Sequence, residues 1–228
     1  MEAIVLAGGF GTRLRQAVPD LPKPMAPIAG RPFLEILLAS LAAKGFTRVV
    51  LSLGYMAEKI SGHFGASHAG MALVYTVEES PLGTGGAVRL AMAQCVQDHV
   101  FVFNGDTYLD LEIEAVERQW QQRREPIIVG REVPDTARYG RLESDGARVT
   151  GFAEKGAGGP GLINGGTYVL NRGQLDGFAL HQPFSLETDY LVPQLAQGPF
   201  DLFVTGGHFI DIGVPEDFAR AQTELAGR

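Results

Sequence analysis

Apolar positions in the first 130 residues follow two alternating rhythms. Short, mostly apolar runs occupy 3–7, 49–53, 73–77, 100–103 and 126–130. Their length and the turn residues beside them predict buried strands. Between them apolar residues recur at helical spacing. Phe33, Leu34, Leu37, Leu38 and Leu41 share one face of a helix predicted over 32–44, with Pro32 near its first turn and Gly45 as its stop. Further helices are predicted over 56–64 and 84–93, and a polar-faced one over 112–124. Strand–helix alternation of this kind builds a parallel sheet with helices on both faces. Its right-handed crossovers gather the strand ends on one rim, where ligands bind. The loops 8–14 and 104–106 lie at such ends.

After about residue 135 the rhythm changes. Short strands are predicted over 139–143, 149–154 and 166–170, separated by glycines, as an antiparallel subregion packed beside the first sheet. A helix follows over 187–195, then a pair of short strands within 202–212. The last helix, 215–225, places Phe218, Ala221 and Leu225 on one face. The expected class is α/β, a mostly parallel sheet flanked by helices, with a smaller strand-rich subregion. One domain is expected over 1–228, in two halves of about 1–135 and about 136–228.

Composition narrows the function. The chain has 228 residues, 45% hydrophobic and 20% charged, enough for one sizeable core. Lys plus Arg total 19 against 26 Asp plus Glu, a net charge of −7 that argues against a nucleic-acid partner. A lone cysteine, Cys95, rules out an internal disulfide framework. Residues 1–3 lack the basic region that opens a signal peptide, and no apolar run approaches a membrane span. The expectation is a soluble cytoplasmic protein with no membrane partner. The five histidines, at 63, 68, 99, 181 and 208, have no metal-ligand spacing, and there is no Gly-x-Ser-x-Gly elbow. A homo-oligomer stays open.

The first loop carries the chemistry. Gly8, Gly9 and Gly11 let backbone amides converge on an anion. Arg13 adds a planar donor fork, and Lys23 a point charge on a segment stiffened by Pro22 and Pro24. The combination suits a triphosphate. It is not a Walker A loop, which needs Gly-Lys-Ser/Thr, and Leu14 stands where the dinucleotide fingerprint has its third glycine.

The string Leu6-Ala7-Gly8-Gly9-Phe10-Gly11-Thr12-Arg13-Leu14, followed by Pro22-Lys23-Pro24-Met25, resembles the signature of the sugar-1-phosphate nucleotidyltransferases. Arg15, the run 20–28 and Gly30-Arg31-Pro32-Phe33-Leu34-Glu35 sharpen the likeness to the heptose 1-phosphate guanylyltransferase subgroup. The resemblance reaches the last helix. It implies a Rossmann-like mixed sheet and Mg²⁺ dependence. It implies a reaction of NTP, with GTP favoured, and sugar 1-phosphate giving a nucleotide sugar and pyrophosphate. The first half would bind nucleotide and the second half sugar. Mannose 1-phosphate guanylyltransferase and N-acetylmuramate 1-phosphate uridylyltransferase stand as alternatives. So do a glycosyltransferase and a silent sugar-nucleotide binder.

Joining two polyanions calls for charge neutralisation and in-line positioning more than for a base. Asp106, after Asn104-Gly105, and Asp211 match the family's metal aspartates, although each also suits a turn cap. Asp110 and Glu112 are expected to cap the next helix. Glu78-Glu79, through Gly83-Thr84 to Ala87, matches the base-contacting segment, where Gly83, Gly85 and Gly86 would let a flat ring lie on backbone. A carboxylate there accepts from N1–H and N2–H of guanine and repels uracil; two solvated charges are the other reading. On the sugar side the resemblance brings in Tyr139-Gly140, Glu154-Lys155, Asn164 and Glu187. Lys155 would pair with the sugar phosphate, and it joins Arg13, Lys23 and Asp106 as the catalytic candidates. Gly156 replaces the family's usual proline after the Glu-Lys pair.

Overall fold

The computed structural model describes residues 1–9, 11, 14, 18–153 and 158–228. The chain opens with β1 (Glu2–Leu6), β2 (Pro27–Ile28), β3 (Arg31–Pro32), α1 (Phe33–Ala43), β4 (Arg48–Leu53) and α2 (Ala57–Phe64). It continues through β5 (Ser67–His68), β6 (Met71–Val77), α3 (Gly83–Met92), β7 (His99–Asn104), β8 (Thr107–Leu109), α4 (Ile113–Arg123) and β9 (Ile127–Val133). The remainder is β10 (Arg141–Asp145), β11 (Arg148–Ala153), β12 (Gly161–Asn171), α5 (Val192–Leu195), β13 (Asp201–Thr205), β14 (Phe209–Asp211) and α6 (Pro215–Glu224).

Ten strands form one sheet in the order β10-β11-β13-β9-β12-β7-β1-β4-β6-β5. β1 pairs in parallel with β4 and β7, and β4 with β6. Leu6 therefore stands level with Ser52 and Asn104 at one rim. Ala3, Val5, Val49 and Leu51 enter the core on one face, and Ile4, Val50 and Val102 enter the core on the other. Burial on both faces explains the largely apolar runs. α1 is apolar around most of its girth because Leu34, Leu37, Leu38 and Leu41 pack on the sheet while Phe33 and Ile36 enter a third, smaller core. That core joins Ala26 and Ile28 to Ile210, Ile212 and Ala221, so it braces the Lys23 turn against β14 and α6.

Two expectations are corrected. The strand-rich half is not a region packed beside the first sheet. β12 inserts between β7 and β9, antiparallel to both, and the sheet runs on without a break. β12 is buried on both faces from Gly165 to Leu170, which demands a central place. Gly165 and Gly166 hid this, because they interrupt its register with β9 between Asn164 and Tyr168. The two short strands expected within 202–212 are present. β13 runs parallel to β9, whereas β14 pairs with β8 in a separate ribbon. The helix over 187–195 begins as a widened π-helical turn, Leu186–Leu191, before α5.

Among the described residues, no helix is long and apolar enough to cross a membrane.

Candidate active site

A cavity of about 530 Å³ opens at the carboxyl rim of the parallel strands. The β1 loop, the Lys23 turn, the ends of β4, β6 and β7 and the start of α3 enclose it. Leu6, Ala7, Gly8 and Gly9 all line it. Gly8 is pressed between neighbours: a Cβ there would lie 2.8 Å from Glu78 Oε1 and 3.1 Å from the Gly54 nitrogen. Gly11, at φ +59°, lies on the Lys23 stem, where a Cβ would come within 2.8 Å of the lysine Cβ. Thr12, Arg13, Glu154 and Lys155 lie outside the described residues.

Lys23 begins a 3₁₀ turn closed by Met25 N–H on the Pro22 carbonyl, 2.8 Å. Its side chain is only 11% exposed, and Nζ donates to Asp106 Oδ2 at 2.5 Å. Asp106 follows Gly105, whose N–H donates to the Leu6 carbonyl and whose missing side chain leaves room for that carbonyl. Asp211 arrives from the far end of the chain. The β8–β14 ribbon sets it opposite Thr107, and Ile212 N–H donates to the Asp106 carbonyl, 2.9 Å. A Cβ on Gly213 would meet Asp211 Oδ1 at 2.7 Å and Lys23 Nζ at 3.1 Å, so the three charges share one corner. Burial, reinforced by the charge of Asp106, raises the Asp211 carboxyl above its usual range; Lys23 and the Gly213 N–H oppose the rise. Asp211 Oδ1 also accepts from Gly213 N–H at 2.7 Å, so the turn-capping reading of this residue is present in the structure.

These residues fit a magnesium ion. Two carboxylates offer hard oxygen donors, and Lys23 already supplies positive charge beside them. Among the described residues no cluster of three or more His, Cys, Asp or Glu could hold a metal. Mg²⁺ needs no such cage, because it takes one or two carboxylates and completes its shell with phosphate oxygens and water.

The two glutamates expected at the base are placed differently. Glu79 is exposed at the cavity rim. Glu78 is half-buried, and its Oε2 accepts from Leu82 N–H at 2.8 Å, fixing the turn into α3. Burial raises its carboxyl pKa, and the Leu82 N–H partly offsets this. Oε1 faces Gly8, and Oε2 is shared with the Leu82 N–H. The glycines of α3 also serve differently from expectation. Gly83 and Thr84 line the cavity, but a Cβ on Gly85 would fall 2.2 Å from the Phe184 ring and one on Gly86 2.5 Å from the Gln182 carbonyl. The flat ring lying on Gly85 is a phenylalanine of this chain.

On the sugar side, the Tyr139 ring packs edge-on against Phe209 at 5.9 Å, and burial raises its phenol pKa. Gly140 has open space around it apart from the Ala153 carbonyl, 3.8 Å from where a Cβ would sit. Asn164 and Glu187 both bond Tyr168, at 2.7 and 3.2 Å. None of Tyr139, Gly140, Asn164 or Glu187 lines the cavity itself. Asp110 does not cap α4, and Glu112 holds its N-cap position without a side-chain cap bond. Asp110 accepts from Lys44 at 2.7 Å and Arg228 at 3.1 Å, and Glu112 accepts from Thr205 at 2.6 Å. Ser52 and Tyr55 line the cavity without having been foreseen, and Asn104 of the 104–106 loop and Ala87 of the segment opening α3 line it as well. Position at a parallel strand end was the available signal for Ser52.

A family model described as nucleotidyl transferase matches residues 2–227. The chain is 39% identical over 226 residues to the D-glycero-alpha-D-manno-heptose 1-phosphate guanylyltransferase of Aneurinibacillus thermoaerophilus, covering 99% of this chain and 98% of that one. It is 36% identical over 219 residues to the Campylobacter jejuni protein of the same name, covering 96% and 97%. The crystal structure of HddC from Yersinia pseudotuberculosis complexed with GMP-PN matches with a TM-score of 0.88 at 38% identity, over 98% of this chain and 99% of that one.

Proposed function

Since the chain belongs to the nucleotidyl transferase family, we propose that it transfers GMP from GTP to D-glycero-α-D-manno-heptose 1-phosphate. The products are the GDP-sugar and pyrophosphate. The observation that carries the reading is the corner shared by Lys23, Asp106 and Asp211 at the cavity formed by the glycine loop. Relatives similar from end to end supply the sugar and, with the GMP-PN complex of HddC, the base. Residues of about 1–135 hold the nucleotide. Those of about 136–228 hold the sugar and contribute Asp211.

An oxygen of the sugar 1-phosphate forms a bond to the α-phosphorus. The bond from that phosphorus to the bridging oxygen breaks, and pyrophosphate leaves. The nucleophile is already ionised, so no side chain need take a proton. Amides of the Gly8–Gly11 loop and Arg13 bind phosphate oxygens. Lys23, freed from Asp106 by the incoming triphosphate, adds charge where it accumulates. Lys155 binds the sugar phosphate, and Glu154 and Tyr139 shape the pocket beside it. Asp106 and Asp211 would hold Mg²⁺, which supplies charge neutralisation between the two polyanions. Glu78 Oε1 accepts one guanine N–H. The use of a nucleoside triphosphate points to the cytoplasm.

A matrix of four NTPs against heptose, mannose, glucose and N-acetylmuramate 1-phosphates, read by pyrophosphate release, tests this. GTP with the heptose 1-phosphate is expected to lead. GTP should exceed UTP about tenfold or more, the worth of one hydrogen bond to a charged acceptor. Equal use of UTP removes the guanine assignment. Greater turnover with mannose 1-phosphate reassigns the sugar, and no pyrophosphate from any pair removes the transferase reading.

A further inference from the structure

Between the nucleotide wall and the sugar side runs a chain of hydrogen bonds whose direction is set at every link. Leu186 N–H can only donate, and it donates to Thr84 Oγ1 at 2.9 Å. The Thr84 proton therefore goes to Glu187 Oε2, 2.8 Å away, which also accepts from Ser185 Oγ at 3.2 Å. A carboxylate only accepts, so the Tyr168 hydroxyl donates to Glu187 Oε1 at 3.2 Å. The Tyr168 oxygen then accepts from Asn164 Nδ2 at 2.7 Å, and Asn164 Oδ1 accepts from Gly166 N–H at 3.0 Å. The amide orientation of Asn164 is thus determined from both sides. Gly166 in turn lies against Asn104, since a Cβ there would fall 2.6 Å from Asn104 Nδ2. Asn104 and Thr84 both line the cavity.

Tyr168 is 1% exposed and stands at the centre of this chain. Burial and the neighbouring Glu187 hold its phenol well above the ordinary value, so the hydroxyl keeps its proton. Packing alone explains the ring but not the hydroxyl, since phenylalanine would fill the same space without a buried polar atom to satisfy. Glu187 lies in the π-helical turn, a geometry found often at functional sites.

We propose that Tyr168 is a positioning residue that couples the two substrates: its hydroxyl links Thr84 on the nucleotide wall to Asn164 on the sugar side, so that nucleotide against Thr84 orders Glu187 and Asn164 for the sugar 1-phosphate. The coupling rests on the transferase reading above; the hydrogen-bond chain does not. At saturating NTP, Tyr168→Phe is expected to raise the KM for sugar 1-phosphate about 3- to 10-fold, the worth of one internal hydrogen bond. The KM for NTP should stay within about twofold. Thr84→Val is expected to raise the sugar KM as well. The double variant should be no worse than the poorer single one, because both cut the same chain. Multiplying effects, or an unchanged sugar KM in Tyr168→Phe, overturn the proposal. A purely structural hydroxyl would lower Tm and leave this pattern absent.

A second measurement needs no substrate. Exchange of the Gly166 amide hydrogen, followed by NMR on the free protein, should accelerate in Tyr168→Phe and in Thr84→Val. Thr84 is exposed, so its variant is expected to fold even if Tyr168→Phe does not. Wild-type exchange at Gly166 in Thr84→Val overturns the chain. If the wild-type protein turns over none of the substrate pairs, the transferase reading fails, and amide exchange still decides whether the chain exists.

Discussion

Asp211 shows what a candidate catalytic corner would cost a fold. Its carboxyl is buried beside Asp106, and both conditions disfavour its charge. The folded state therefore binds the proton more tightly than the unfolded chain does. The charged form weakens the fold once pH rises through the raised folded-state pKa, and this penalty fades as pH falls. Asn in its place keeps the bond from Gly213 N–H and removes the charge. Asp211→Asn, in EDTA at pH 7, is expected to melt at or up to about 4 °C above the wild type. The difference should shrink under acid conditions. Its turnover at limiting Mg²⁺ should fall at least about tenfold. Calorimetry across pH with a Mg²⁺ titration of activity checks both, and near-native rates at limiting Mg²⁺ take Asp211 out of the metal site. Gly8, Lys23 and Asp106 were legible as residues because each carries a local signature. Tyr168 was not, since its hydroxyl matters only through Glu187 and Asn164.

At the scale of elements, two glycines with the same helix propensity should respond in opposite ways to alanine. Gly62 lies within α2 with nothing within 4 Å of a new Cβ. Gly62→Ala should stabilise the protein by up to about 1 kcal/mol. Gly85 lies in α3 against the Phe184 ring, which is itself stacked on Phe178 at 3.9 Å and has little room to yield. There overpacking should outweigh propensity, with a net loss of about 1–3 kcal/mol. The start of α3 would shift with it, so the KM for NTP should rise. Urea melts of both variants test the comparison, and a stabilised Gly85→Ala would mean that Phe184 moves freely. The same contact corrected the expected role of the α3 glycines. A glycine pattern reports close approach by something, but not which partner makes it.

For the whole molecule, the candidate site joins parts distant in sequence. Lys23, Asp106 and Asp211 converge because the third core ties the Lys23 turn to β14 and α6, while β8 pairs with β14. A nucleotide held there should brace both halves of the sheet. GTP with Mg²⁺ at about one hundred times its Kd is expected to add about 2.7 kcal/mol, which for a protein of this size is about 5–10 °C in Tm. EDTA should remove most of that shift. Differential scanning calorimetry reads it directly, and a shift indifferent to EDTA argues that the two carboxylates do not hold the metal.

The alternation of β1, α1, β4, α2, β6, α3 and β7, the glycine loop after β1 and the carboxylate after β7 are written in the sequence itself. They depend on short-range requirements: apolar periodicity over a few residues, backbone freedom at a turn, and a charge at a strand end. Tertiary structure decided where β12 and β14 go, that Glu78 holds the Leu82 N–H, and that a phenylalanine ring takes the space over Gly85. Those outcomes follow from competition for burial and pairing among segments far apart in the chain. A strand buried on both faces must find the middle of a sheet, whichever neighbours await it there. Local pattern records that need, and only the assembled fold settles how it is met.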